Sequence, residues 1–421
     1  MTVVADYGPV GFALVAAVAA TAAMLVVGGR RDLLAYLAAY MLVFGFGPVV
    51  NYLVGDPVYG GVVLDEVGRA AAGMCLALLA MLVVGALYRQ RETFDRHRLA
   101  ASGRAYPLVP LLLLALSGYA VVVLVLSGPE LLSGSKLDRV AAAGPWHYEF
   151  LLVELLACSL YFIAVRTPGG RALYWAHMGC YIAYCLATAE RDFIFVLFSL
   201  LLHTQLFRRR IASVPRLVLP AVGLLLCATY LVHLRQGSGT DLTQVLNQGS
   251  VLFVDTFVMD LVPAVMPHLH GLTYLSAVTG LVATEPTLTS WLVDAYAPGS
   301  GSGYGFSLTG EAYLNFGLAG IPVVFALLAY TQRWLTNRCD LGQFPAFVSV
   351  LFTICLMYGF RGESATFLRT MVDGLVLYGL VHVTSIHDRR QPSRRWHPVA
   401  PAALRANPAV VRKELGVPCV S

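Results

Sequence analysis

The chain has 421 residues, of which 58% are hydrophobic and only 13% charged. A soluble globular protein is about half apolar and about a quarter charged, so this composition excludes an ordinary water-soluble domain. The formal charge of +5 does not indicate a nucleic-acid partner, because the cations fall in short clusters between apolar runs and make no basic face.

In chain order, apolar runs predict membrane spans near 8–28, 33–53, 67–88, 106–128, 147–165, 172–189, 192–207, 214–234, 312–332, 345–360 and 368–386. A hydrocarbon core of roughly 30 Å takes about 20 helical residues to cross, and these runs are of that order. The expected fold class is an all-α polytopic membrane protein with about eleven transmembrane helices. Residues 1–7 carry no basic segment and the first run is long enough to span, so no cleavable signal peptide is expected.

Basic residues collect on the cytoplasmic side of membrane proteins. With the N-terminus outside, only Arg69, Lys136, Arg139, Arg191, Arg235, Arg361 and Arg369 remain external, and every other Lys or Arg falls inside. Adding or removing one helix would break that alternation. Residues 1–387 form one expected transmembrane domain. Residues 388–421 form a basic, proline-rich tail, expected to be disordered at the cytoplasmic surface.

The segment 235–311 is the one long loop, external in this topology. Its stretches SVLFVDTFVMDLVPAV and GLTYLSAVTGLVA are apolar, but Asp255, Asp260 and Pro263 oppose a full span. Short interfacial helices folded over the outer mouth are expected. None of the eight cysteines lies in this loop, which points to small apolar filler rather than disulfides or a metal site.

An ion in lipid is costly unless paired or hydrated, so charges at the outer helix ends are the informative ones. Arg191 lies in AERDF, Arg235 ends the span before the long loop, and Glu311 begins the span after it. Arg361, Glu363 and Arg369 share FRGESATFLRTMVDG. The topology brings these separate stretches to one membrane face, and guanidinium forks match phosphate oxygens bidentately. The plain alternative is salt bridging at helix ends: Arg369 with Asp373, Arg191 with Glu190 or Asp192, Arg361 with Glu363. Glu149 and Glu154 suit either an interior pair or a substrate contact. PGSGSGYGFS (298–307) suits a hinge or a linker. His268 and His270 form an HxH pair without a nearby third ligand, so zinc is not expected and either serves as a base or an interfacial residue.

The stretch GSGYGFSLTGEAYLNFGLAG (301–320) resembles the Gly-Glu-x-Tyr-x-Asn-Phe-Gly-x-x-Gly signature of Wzy-type O-antigen (oligosaccharide repeat-unit) polymerases. The matching positions are Gly310, Glu311, Tyr313, Asn315, Phe316, Gly317 and Gly320. ERDFIFVLFSLLL and RGESATFLR are similar in placement to that family's arginine positions, and no histidine matches that of the related ligases. The resemblance implies a GT-C-like membrane glycosyltransferase in the bacterial inner membrane. It would polymerise polyprenyl-diphosphate-linked oligosaccharides on the extracytoplasmic face, without metal or cofactor, alongside a flippase and a chain-length regulator. It implies diphosphate contacts from Arg191, Arg235, Arg361 and Arg369, and proton handling by Glu311 or Glu363. Sugar contacts would come from Tyr304, Tyr313, Asn315, His268 and His270. The alternatives are another lipid-dependent glycosyltransferase or ligase, and a transporter of polysaccharide or lipid-linked glycan.

Overall fold

The computed structural model describes residues 7–29, 31–53, 67–92, 94, 104–134, 136–207, 223, 251–281, 287–296 and 305–387. The first helices are α1 (Tyr7–Gly28), α2 (Leu33–Leu53), α3 (Val67–Leu87), α4 (Leu108–Ser127), α5 (Lys136–Ala143), α6 (His147–Cys158), α7 (Tyr161–Ala164), α8 (Pro168–Ala187) and α9 (Asp192–Leu206). Those that follow are α10 (Val251–Leu261), α11 (Leu272–Thr279), α12 (Leu288–Tyr296), α13 (Leu308–Phe316), α14 (Gly320–Thr336), α15 (Gln343–Gly359) and α16 (Ser364–Val383). The two-residue strands β1 (Arg104–Ala105) and β2 (Ile386–His387) pair antiparallel.

Among the described residues, six helical stretches are long and apolar enough to cross a membrane: Gly8–Gly28, Leu33–Val50, Val67–Leu87, Leu108–Leu132, Leu308–Thr336 and Ser364–Val383. Asp192–Leu206 and Gln343–Gly359 are shorter apolar helices. The run 147–165 is broken after Cys158, where the Ser159 hydroxyl bonds back to the Leu155 carbonyl at 3.0 Å. α8 has the length of a span, but Arg171 and His177 interrupt its apolar surface. The predicted span 214–234 and the tail 388–421 lie outside the described residues. Phe12, Val26, Leu111, Val125, Leu126 and Val383 point outward, as suits helices solvated by lipid.

Contacts between helix ends define two ends of the bundle. At one end the Arg333 guanidinium donates to both Asp32 oxygens at 2.8 Å. Beside it Arg91 pairs with Asp340 at 2.9 Å, and Arg166 donates to the Arg104 carbonyl at 2.6 Å. The other end, called here the loop end, gathers the start of α3, the α5–α6 and α8–α9 junctions, the 251–279 segment, the start of α13 and the α15–α16 junction. There Arg69 donates to the Met259 carbonyl at 3.2 Å, and Arg139 to the Ala187 carbonyl at 3.3 Å. α10 packs against α2, α3 and α13, while α11 lies on α16, so this part of the long loop is helical and docked.

Candidate functional site

The stretch 307–320 is the clasp that docks the loop. Ser307, in extended backbone, caps α13 by accepting from the Gly310 amide at 2.8 Å. Its own hydroxyl donates to Asp255, and the Thr309 hydroxyl donates to the other Asp255 oxygen at 2.6 Å. Asp255 is fully buried, and that burial pushes its carboxyl up to about 7 despite the hydroxyl donors. Gly310 lies so close that a Cβ there would meet Ser307 Oγ at 2.7 Å and Asp255 Oδ1 at 3.0 Å.

One turn on, the Glu311 carboxylate is 1% exposed and receives three donors. These are the Thr273 hydroxyl at 2.7 Å, the Ser364 amide at 2.7 Å and the Ser364 hydroxyl at 2.6 Å. Since Ser364 begins α16, an anion here also faces a helix N-terminus, where backbone N–H groups favour negative charge. Glu311 thus ties α11, α13 and α16 together. Asn315 Nδ2 donates to the Glu311 carbonyl and to Thr273 Oγ1, while its Oδ1 accepts from the Gly271 amide at 2.9 Å. Tyr313 donates its hydroxyl to the Val262 carbonyl at 3.0 Å.

Tyr313 and Asn315, expected as sugar contacts, are 4% and 0% exposed, and the chain engages their polar atoms. Glu311 and Glu363, expected to handle the proton, are likewise buried and hydrogen-bonded within the chain. Glu363 is 2% exposed and accepts from the Thr289 amide at 3.2 Å, which anchors α12. Burial raises the Glu363 carboxyl above its usual range, and the neighbouring Glu311 adds to the rise. His268 is partly buried with Nδ1 3.1 Å from the Tyr313 carbonyl, whereas His270 is exposed in a left-handed backbone conformation. Tyr304 and Arg235 lie outside the described residues.

The arginines meet elsewhere at the loop end. α8 ends with Ala189 at φ 57°, in the left-handed region, while the Glu190 amide bonds back to the Cys185 carbonyl at 2.7 Å. This 6→1 closure with a left-handed residue is a Schellman-type turn, although no glycine announces it. The turn delivers Glu190 and Arg191 to the start of α9, both nearly buried. Arg191, Asp192 and Arg361 all lie within electrostatic reach of the Tyr40 hydroxyl, and Arg361, Asp192 and Glu190 within reach of Tyr358. Arg361 has no ion pair among the described residues, and its Nε is buried without a hydrogen-bond acceptor. Arg369 stands 4.0 Å from Asp373, largely exposed.

A cavity of about 360 Å³ opens beside this cluster, lined by Lys136, Tyr148, Glu149, Glu190, Asp192, Tyr358, Thr366 and Arg369. Lys136 pairs with Glu190 at 2.8 Å, and His147 approaches the same oxygen at 3.3 Å while its Nδ1 meets the Tyr184 hydroxyl at 2.9 Å. Glu149 is exposed at the cavity wall, with no hydrogen bond or ion pair among the described residues. A slightly larger cavity of about 390 Å³ lies at the opposite end, around Arg104 and Arg166, away from all these groups. Three of the four predicted arginines therefore share one end with this cavity, and Arg369 lines it. Sequence reasoning left Glu149 unassigned and read Glu190 and Asp192 only as partners for Arg191, and nothing in the sequence marks Tyr40, Tyr358 or His147.

Residues 276–387 match the family model described as O-antigen polysaccharide polymerase Wzy. The matched stretch holds the 307–320 clasp, Arg361, Glu363 and Arg369, and it covers less than half of the chain. No curated protein and no solved structure matches the chain.

Proposed function

We propose that this chain is a membrane glycosyltransferase that polymerises polyprenyl-diphosphate-linked oligosaccharide repeat units, with the loop end on the extracytoplasmic face of a bacterial inner membrane. The observation that supports the reading is a cavity lined by Arg369, Lys136, Glu149, Glu190 and Asp192, with Arg191 adjoining Glu190 and Asp192 in the chain and Arg361 within electrostatic reach of Tyr358 on its wall. The match over 276–387 to the polymerase family supports it.

In this reading the guanidinium groups hold the diphosphate, with Lys136 at the cavity wall and Arg235 assigned on its sequence position alone. As the bond between the anomeric carbon and the diphosphate oxygen breaks, negative charge grows on the leaving group. Fixed cations stabilise that charge more than they stabilise the bound substrate. The acceptor sugar's hydroxyl attacks the anomeric carbon and gives its proton to a carboxylate. Glu149 suits that role because it lines the cavity unpaired among the described residues. Glu190, held by Lys136 and His147, orients the acceptor. Glu311 and Glu363 act as positioning residues by fixing the α15–α16 junction that carries Arg361. In this reading Tyr148, exposed at the cavity wall, and His270, exposed on the docked loop, contact sugars. A flippase delivering substrate and a chain-length regulator are the expected partners.

The test is reconstitution in vesicles with a lipid-diphosphate oligosaccharide, following ladder formation and released polyprenyl diphosphate. Wild-type protein should make both. A correctly folded protein that moves the intact lipid-linked glycan across the bilayer and releases no diphosphate would establish transport instead.

A further inference from the structure

A second cluster lies inside the bundle, apart from the arginine site. Glu154 and Cys158 are one helical turn apart on α6, and His177 faces them from α8. All three are buried, and their ligand atoms (one carboxylate oxygen, Sγ, one ring nitrogen) lie within 4.8 Å of one another. The cavity-lining residues of α6 are Tyr148, Glu149, Leu151, Leu152 and Leu155, and none of the three belongs to them.

The hydrogen bonding places a proton on His177 Nδ1. The Ser117 hydroxyl lies 2.7 Å from the Leu113 carbonyl and 3.1 Å from His177 Nδ1. A carbonyl only accepts, so the serine proton points to Leu113, and Ser117 Oγ accepts from Nδ1–H. His177 Nε2 therefore carries a lone pair in the neutral ring. It stands 2.9 Å from Glu154 Oε2, yet neither atom has an aligned hydrogen bond, and Glu154 Oε1 is likewise without a partner. Either a shared proton or a bound metal ion reconciles two such atoms at that separation. A ring fixed through its far nitrogen is how proteins orient a metal-ligating histidine.

We infer that Glu154, Cys158 and His177 bind a divalent transition metal of the zinc class, which pins α4, α6 and α8 together within the membrane. Bonds of about 2.0 to 2.3 Å to nitrogen, oxygen and thiolate sulfur fit this donor set, and small side-chain shifts close the cluster around an ion. Charge supports it: a dication with one carboxylate, one thiolate and a neutral imidazole sums to zero, which suits a site buried inside the protein. Binding releases the thiol proton to solvent and involves no redox step. The role is structural and independent of the proposed glycosyl transfer.

The experiment uses the full chain, purified in detergent without chelators. Elemental analysis should find about one zinc-class ion per chain, falling about tenfold or more in Cys158→Ala and His177→Gln. Loading the chelated wild type with Co(II) should give a thiolate-to-metal charge-transfer band that Cys158→Ala lacks. Should a variant fail to fold, protection of Cys158 from alkylation by added Zn(II) in the wild type decides the matter. Absence of retained metal together with absence of a Co(II) band in folded wild type overturns the proposal and leaves a proton shared by Glu154 and His177. A metal retained undiminished by Cys158→Ala also overturns it.

Discussion

Replacing Glu311 separates a positioning role from a chemical one. In Glu311→Ala the Thr273 hydroxyl, the Ser364 amide and the Ser364 hydroxyl all lose their acceptor in a site that is 1% exposed. Each buried donor left unsatisfied costs about 1–3 kcal/mol. Such losses are not additive, and water entering the truncated site recovers part of them, so the expected destabilisation is about 3–5 kcal/mol, similar to breaking a buried charged pair. Glu311→Gln keeps one acceptor oxygen but turns an amide donor toward other donors, and should cost about 1–3 kcal/mol. Thermal unfolding in detergent measures the global effect. Limited proteolysis within 262–271 and 280–287 reports whether the docked segment has loosened. Glycan laddering in cells measures activity at matched protein level. The expected pattern is that melting temperature, protection and ladder yield fall together, more steeply for Ala than for Gln. If Glu311→Gln abolished the ladder while melting and proteolysis stayed at wild-type values, Glu311 would be acting on substrate and the positioning argument would fail.

Other expectations follow from the same geometry. Arg191→Ala and Arg361→Ala should each lower polymer yield by about 10²–10³-fold with protein level preserved, the loss seen when one transition-state donor is removed. Lys at either position should restore only part, because the fork is gone; normal yield in both Ala variants would end the diphosphate assignment. Gly310→Ala should destabilise the clasp by about 1–3 kcal/mol, because its Cβ would press on Ser307 Oγ and Asp255 Oδ1; unchanged melting would refute the close approach. Glu149→Gln should depress turnover while leaving substrate retention and melting unchanged, and full turnover would refute its assignment as the base. Asp255 carries a pH signature. Between an unfolded value of about 4 and its folded value of about 7, the folded chain holds a proton that the unfolded chain has released. Stability should therefore fall as pH rises through that window and level off above it. Hydrogen exchange of 251–261 should follow this slope in the wild type and lose it in Asp255→Asn; a wild-type slope of the opposite sign would contradict the buried, protonated carboxyl.

Hydrophobic run length was enough, from residues alone, to point to a helical membrane protein, and the spacing of arginines gave an expectation of which helix ends share a face. Both are one-dimensional quantities: lipid demands a certain number of apolar residues, and charge sorts by side. Which charge pairs with which is a different matter. Asp32 and Arg333 are far apart in the sequence, and only folding brings them within 2.8 Å. The 307–320 signature was legible as a motif but not as a clasp. Whether Glu311, Tyr313 and Asn315 face a substrate or the chain itself depends on the donors of Thr273, Ser364, Gly271 and the carbonyl of Val262, which come from elsewhere in the chain. The helix break after Cys158 and the left-handed Ala189 also left no glycine or proline to announce them. Tertiary structure alone decided which polar groups were satisfied by protein and which were left to face a cavity, because burial and hydrogen bonding are properties of neighbours in space, and sequence order records only neighbours along the chain.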